Sequence, residues 1–209
     1  MDAMSQPEAP QMAFCTTREA SEILGVSLRT VQLWAEAGLL EAWKTSGGHR
    51  RILRNSVDRL LSTVPLADKA TPHMDSALRI LLVDDDPAVL RVWEQKMARW
   101  PMKPQVITAQ NGVEALVRAG LKKPDLLVTD LQMPGMDGFQ MLRQLTKIPE
   151  LADVTIIVVT GLDPEEIETR GGIPESIPVL HKPMPFDQLR DIATVVALRK
   201  QREYLQTGT

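Results

Sequence analysis

Apolar positions along this chain follow two different patterns, and the change between them divides it. From Phe14 to Leu61 the apolar residues recur at helical spacing in short stretches. Thr16-Thr17-Arg18-Glu19 reads as a capping box; Ala20, Ile23 and Leu24 then share one helical face, and Gly25 stops the helix. Ser27 caps a second helix, with Leu28, Val31, Trp34 and Ala35 expected inward and Arg29, Gln32 and Leu33 outward, ended by Gly38. Trp43 to Ile52 predicts a hairpin around Gly47-Gly48. A third helix, over about residues 55–62, is expected to bury Val57, Leu60 and Leu61. Trp34 and Trp43 are expected in the core, because a domain of about fifty residues needs large apolar side chains to fold.

From Arg79 onward the pattern alternates. Short, nearly unbroken apolar runs end at residues 83, 109, 129, 159 and 181, and amphipathic stretches separate them. Runs this short, bounded by turn residues, predict strands buried on both faces. The intervening helices are expected from about Pro87 to Ala98 (burying Val89, Trp93 and Met97), over Val113 to Leu121, at Phe139 to Leu145 and near Pro164 to Arg170. The last starts near Phe186 and runs past Arg199 towards Leu205. Strand–helix alternation of this kind is the α/β signature.

The expected organisation follows. Residues 1–12 form a disordered lead-in, 13–63 a first domain, 64–77 a linker with Pro65 and Pro72, 78–200 a second domain, and 201–209 a helical extension or tail. Composition adds few constraints. Hydrophobic content of 44% is ordinary for a globular chain, and a net charge of -3 means that any nucleic-acid contact must be local. The single Cys15 forbids an intramolecular disulfide, fits a reducing compartment and reads as a small buried residue. No stretch is long and apolar enough to span a membrane, and no signal peptide is evident, so a cytoplasmic location is expected.

Chemistry collects at the carboxyl ends of the predicted strands, where open α/β sheets bind ligands. The first strand ends in Asp84-Asp85-Asp86, the third in Asp130, the fourth in Thr160-Gly161 and the fifth in His181-Lys182-Pro183. Asp130 is a metal ligand, a nucleophile or both. Clustered carboxylates repel one another and need a cation, and hard oxygen ligands suit Mg²⁺. With a metal and a lysine nearby, Asp130 can accept a phosphoryl group. His181, Asp86 and Asp137 read as structural, and the methionines at 133, 136 and 141 as adaptable packing.

These four motifs, in this order and spacing, resemble the receiver domain of two-component response regulators over about residues 78–200. The resemblance implies a doubly wound, parallel five-stranded sheet. It makes Asp130 the phosphoacceptor, with Asp85, Asp130 and the backbone carbonyl of Gln132 holding Mg²⁺ and Asp84 acting through water. Thr160 becomes the switch hydroxyl and Lys182 the contact to phosphoryl oxygens. Val179 occupies the switch position where the family usually has an aromatic residue. A sensor histidine kinase or phosphotransfer protein is the implied partner.

The amino-terminal pattern resembles the small winged helix-turn-helix domains of the MerR and excisionase type. Lys44, Arg50, Arg51 and Arg54 with His49, and no acid among them, place positive charge on the wing. The implied partner is double-stranded DNA, contacted by Arg29, Gln32, Leu33, Lys44, His49, Arg50 and Arg51. The expected function is therefore a non-enzymatic transcription regulator, with a possible homodimer on phosphorylation. Two alternatives stand beside it: a constitutive DNA binder whose receiver does not signal, and a haloacid-dehalogenase-like phosphatase built on Asp84, Asp86, Thr160, Lys182, Asp187 and Asp191.

Overall fold

Thr16 starts the first helix as its sequence predicts. In the computed structural model its hydroxyl accepts the Glu19 amide at 3.1 Å, while the Glu19 carboxylate accepts the Thr16 amide at 2.7 Å. Residues 14–45, 47–62 and 77–207 are described, and they fall into two compact units separated within 63–76. The predicted lead-in, all of the linker but Ala77, and Ser46 lie outside the described residues.

In the first unit α1 (Thr17–Leu24) ends at Gly25, whose φ of +67° favours glycine. Helix α2 (Leu28–Glu36) begins where Ser27 Oγ accepts the Thr30 amide at 3.1 Å. Strands β1 (Phe14–Thr16), β2 (Ala42–Lys44) and β3 (Arg50–Leu53) form an antiparallel sheet ordered β1-β3-β2, and α3 (Arg54–Ser62) follows. The predicted hairpin is β2–β3. Strand β1 was not expected, since three residues give no alternation to read and its partner, Leu53 opposite Phe14, is distant in the chain. Ala20, Leu24, Val31, Trp34, Leu40, Ile52 and Val57 make the core.

Three expectations for this unit need correction. Leu33 is buried, not outward, and Leu28 is exposed, not inward. The buried arc of α2 is centred on Thr30 and Trp34, because the Thr30 hydroxyl shares a 3.1 Å hydrogen bond with Ser27 and so enters the core satisfied. Trp43 is 42% exposed rather than core; its ring meets Phe14 edge-on at 4.2 Å on an open sheet face.

The second unit runs β4 (Arg79–Val83), α4 (Pro87–Met97), β5 (Gln105–Ala109), α5 (Gly112–Lys122), β6 (Leu126–Thr129), α6 (Gly138–Leu145), β7 (Thr155–Thr160), α7 (Pro164–Thr169), β8 (Val179–His181) and α8 (Phe186–Thr207). All five strands are parallel, in the order β5-β4-β6-β7-β8. The alternate residues Ile80, Leu82, Leu126, Val128, Ile157 and Val159 pack with Trp93 and Met97 of α4 and Leu189, Ala193 and Val196 of α8. Leu81, Val83, Leu127 and Val158, of opposite parity, are equally buried. Val89, expected in the core, is only half-buried, and Leu90 takes its place. From β4 the chain goes out to β5 and then returns to β6 on the other side, so the sheet's switch point lies between the carboxyl ends of β4 and β6.

Candidate functional site

Asp84 follows β4 and Asp130 follows β6 at that switch point. Register pairs Val83 with Thr129, and the Asp130 amide donates to Val83 O at 2.9 Å, so the two carboxylates emerge side by side. Both are almost completely buried, Asp84 at 1% and Asp130 at 4% exposure. Two carboxylates at such depth require a positive charge. Lys182 supplies one: its Nζ donates to Asp84 Oδ2 at 2.9 Å and to Asp130 Oδ2 at 2.8 Å. Burial opposes the lysine charge, but the hydrogen bonds and negative charge of Asp130 and Asp84 outweigh it and raise its pKa above the ordinary lysine value.

The remaining oxygens are held by backbone. Asp130 Oδ1 accepts the amides of Leu131 at 2.6 Å and Gln132 at 3.2 Å, and Asp84 Oδ1 accepts that of Asp86 at 3.0 Å. Asp86 and Asp137 cap α4 and α6 through the amides of Ala88 and Gln140. The buried Thr160 hydroxyl accepts the Leu162 amide at 3.3 Å, and the Thr160 carbonyl accepts the Lys182 amide at 2.9 Å. Asp85, Gln132 and His181 are exposed at the strand ends; Val179 is half-buried, paired in register with Val158.

In the first unit, Arg29 on α2 and Lys44 and His49 on the hairpin are exposed, while Gln32 and Arg51 are half-buried. Arg50 is tied down. Its Nη1 donates to the Gln32 carbonyl at 3.1 Å and its Nη2 meets Glu36 Oε1 at 3.3 Å, fixing the wing against α2. Leu33 lies in the core and is withdrawn from the predicted DNA face.

A family profile described as "Response regulator receiver domain" matches residues 80–194. The chain belongs to the response regulator receiver family. A second profile, described as a helix-turn-helix domain, matches residues 14–63, so the receiver is joined to a DNA-binding module. That pairing indicates a two-component response regulator that binds DNA and regulates transcription. Among relatives, Protein PilH of Pseudomonas aeruginosa is 35% identical over 111 residues, 53% of this chain and 90% of that protein. The Escherichia coli protein "Transcriptional regulatory protein GlrR" is 32% identical over 53% of this chain, which spans only 24% of it. Several other relatives are likewise matched over a quarter of their length or less. A solved signal receiver domain of a histidine kinase from Syntrophus aciditrophicus superposes with TM-score 0.51 at 27% identity, over 58% of this chain and 90% of that one.

Receiver domains generally bind Mg²⁺ at their phosphorylation site. The donors suit a hard cation, since two buried carboxylates already converge on one ammonium. Asp85 is exposed, and among the described residues no three His, Cys, Asp or Glu side chains are gathered as a metal cluster. Lys182 therefore provides the compensating charge in this arrangement. The structure brings together Asp84, Asp130 and Lys182 from the predicted set. The Arg50–Gln32 tether escaped sequence reasoning, because nothing local pairs residues 18 apart.

Proposed function

We propose that the receiver accepts a phosphoryl group on Asp130 from a sensor histidine kinase or phosphotransfer protein in the cytoplasm. Acceptance is stoichiometric and controls binding of the amino-terminal unit to double-stranded DNA. The observation that carries this reading is the Lys182 ammonium shared between Asp130 and Asp84. It marks the buried carboxylate pair found at the sheet's switch point among the described residues and supplies a cation for the incoming charge.

In the transfer, an Asp130 oxygen bonds to phosphorus as the bond from phosphorus to the donor nitrogen breaks, and the donor imidazole takes up a proton. The Leu131 and Gln132 amides hold the other Asp130 oxygen in place. Mg²⁺, held by Asp85, Asp130 and the Gln132 carbonyl, with Asp84 acting through water, would neutralise charge on the phosphoryl oxygens. Lys182 then turns from the carboxylates to the phosphoryl group, and the Thr160 hydroxyl is drawn towards it. Thr160 must release the Leu162 amide to do so. With Val179 in place of an aromatic residue, the signal leaves through that loop backbone and favours a dimer of receivers, which strengthens DNA binding.

The test is treatment with Mg²⁺ and acetyl phosphate. Mass spectrometry should find one added phosphoryl group in the wild type and none in Asp130→Asn. Labelling of Asp130→Asn to the wild-type extent overturns the site. Val179 favours a second reading, constitutive DNA binding, and unchanged DNA affinity after stoichiometric phosphorylation selects it.

A further inference from the structure

Helix α7 is shorter than the strand it follows. Its six residues, Pro164–Thr169, span about 9 Å at 1.5 Å per residue, whereas the six of β7 span about 20 Å. The chain then turns at Gly171 and Gly172, with φ of +98° and +64°, and passes Pro174 to Ile177 before entering β8. Burial along one face of β7 follows the difference in length. Thr160 and Val158 are fully buried, but Ile156, of the same parity and nearer the strand's beginning, is only half-buried.

A cavity of about 350 Å³ opens at that point. Leu127 and Ile156, paired in register across β6 and β7, line it together with Ala119 of α5, Leu145 of α6, Leu151 and Ile177. All of these but Ile156 are buried, while Ala152, Pro174 and Ser176 are exposed and form the rim. The cavity is set back from the paired acids, because Leu127 precedes Asp130 by three residues, about 10 Å along the chain.

The lining selects the ligand. Among the described residues none of the lining side chains is ionisable, so a charged group would be desolvated without compensation. The nearby backbone amides are already used: those of Ala152, Val154 and Ile177 donate to Pro149 O, Leu151 O and Pro174 O. The Thr146 hydroxyl donates to Leu142 O at 3.2 Å. The Ser176 hydroxyl, by contrast, has no hydrogen-bond partner among the described residues. An apolar cavity of about 150 Å³ holds one benzene ring, so one of this size suits two fused rings.

We propose that this cavity is a binding site for an uncharged two-ring molecule with one hydrogen-bonding group, which the Ser176 hydroxyl meets at the rim. The occupant supplies the apolar cover for Ile156 that α7 is too short to give. The site is independent of the phosphoryl-acceptor reading, and its test needs neither a phosphoryl donor nor DNA, so the two can fail separately.

The test titrates 2-naphthol into the full chain at neutral pH, followed by two-dimensional NMR of the methyl groups. Saturable shifts should appear at Ala119, Leu127, Leu145 and Ile177, with a dissociation constant below about 1 mM. Naphthalene-2-sulfonate, which has the same rings and a charge, should bind at least tenfold more weakly. Ala152→Trp should block the mouth and weaken 2-naphthol at least tenfold. Ser176→Ala should weaken it about threefold and leave naphthalene itself unchanged. Thermal melting without ligand confirms that each variant is folded. Shifts that do not saturate, or that centre on the exposed Phe14–Trp43 pair, overturn the site. So does equal affinity for the sulfonate, wild-type affinity in Ala152→Trp, or a Ser176→Ala variant indistinguishable from wild type.

Discussion

Gly138 packs against the backbone of Asp130 so closely that a Cβ on it would lie 2.5 Å from the Asp130 carbonyl oxygen and 2.6 Å from Leu131 Cα. The Gly138 amide also donates to Leu131 O at 3.0 Å. The loop between Asp130 and α6 is thereby folded back onto Asp130 itself. Gly138→Ala must push backbone rather than a flexible side chain, at a cost of about 1–3 kcal/mol or more. Chemical denaturation should show that loss, and the rate of labelling by acetyl phosphate should fall with it. Wild-type values of both would mean that the loop has room to yield.

Lys182→Met leaves Asp84 and Asp130 buried without their cation. Breaking a buried pair is strongly destabilising, and discounting for the partial exposure of Lys182 leaves about 1–3 kcal/mol. Thermal melting without divalent metal should reveal it, and added Mg²⁺ should recover more in the variant than in the wild type. The pH dependence has a defined sign. The lysine pKa is raised above 10.5 in the folded state, so its contribution is fully present below the unfolded value. It is lost as pH rises through the folded one. The stability difference between wild type and Lys182→Met should therefore be flat from pH 7 to 9 and shrink only in strong alkali.

Leu33→Ala should cost about 2–5 kcal/mol, as a core truncation does. The salt dependence of DNA binding should be unaltered in the folded fraction, since the side chain is buried and carries no charge. Leu28→Ala, on the exposed side of α2, should barely change stability. The reverse outcome in denaturation would restore the outward reading of Leu33.

Lys44 and Arg50 should separate in a salt titration. Lys44 is exposed, and Lys44→Ala should weaken binding to all sequences and reduce the log-log salt slope by about one. Arg50→Ala also frees the wing from Gln32 and Glu36, so it should lower the melting temperature as well as DNA affinity. Arg29→Ala should change sequence preference by roughly 1–3 kcal/mol at one base pair. A melting temperature unmoved by Arg50→Ala would show that the tether is not structural.

Cys15 should be unreactive in the native protein. Burial pushes its thiol pKa up, and Sγ lies 3.7 Å from the Ile52 carbonyl within the β1–β3 pair. Reaction with an aromatic disulfide at pH 8 should be slow until denaturant unfolds the first unit, and prompt labelling would contradict that burial.

The sequence by itself determined the features that depend on near neighbours. Capping at Thr16 and Ser27 and the stop at Gly25 show in residues a few positions apart, and the burial of β4, β6 and β7 shows in their nearly unbroken apolar composition. So does the placing of Asp84, Asp130 and Thr160 at strand ends, because a buried run can stop only where a polar residue and a turn follow. Only the tertiary structure decided what lies across those ends. Lys182 reaches Asp84 over 98 residues and Asp130 over 52, and no local pattern encodes which cation meets which acid. The same holds for burial in the first unit. In so small a domain, the buried arc of α2 is set by what packs on it rather than by its own polarity. That is why Thr30 enters the core, Leu28 and Trp43 stay outside, and Leu33 turns away from the face its spacing suggests.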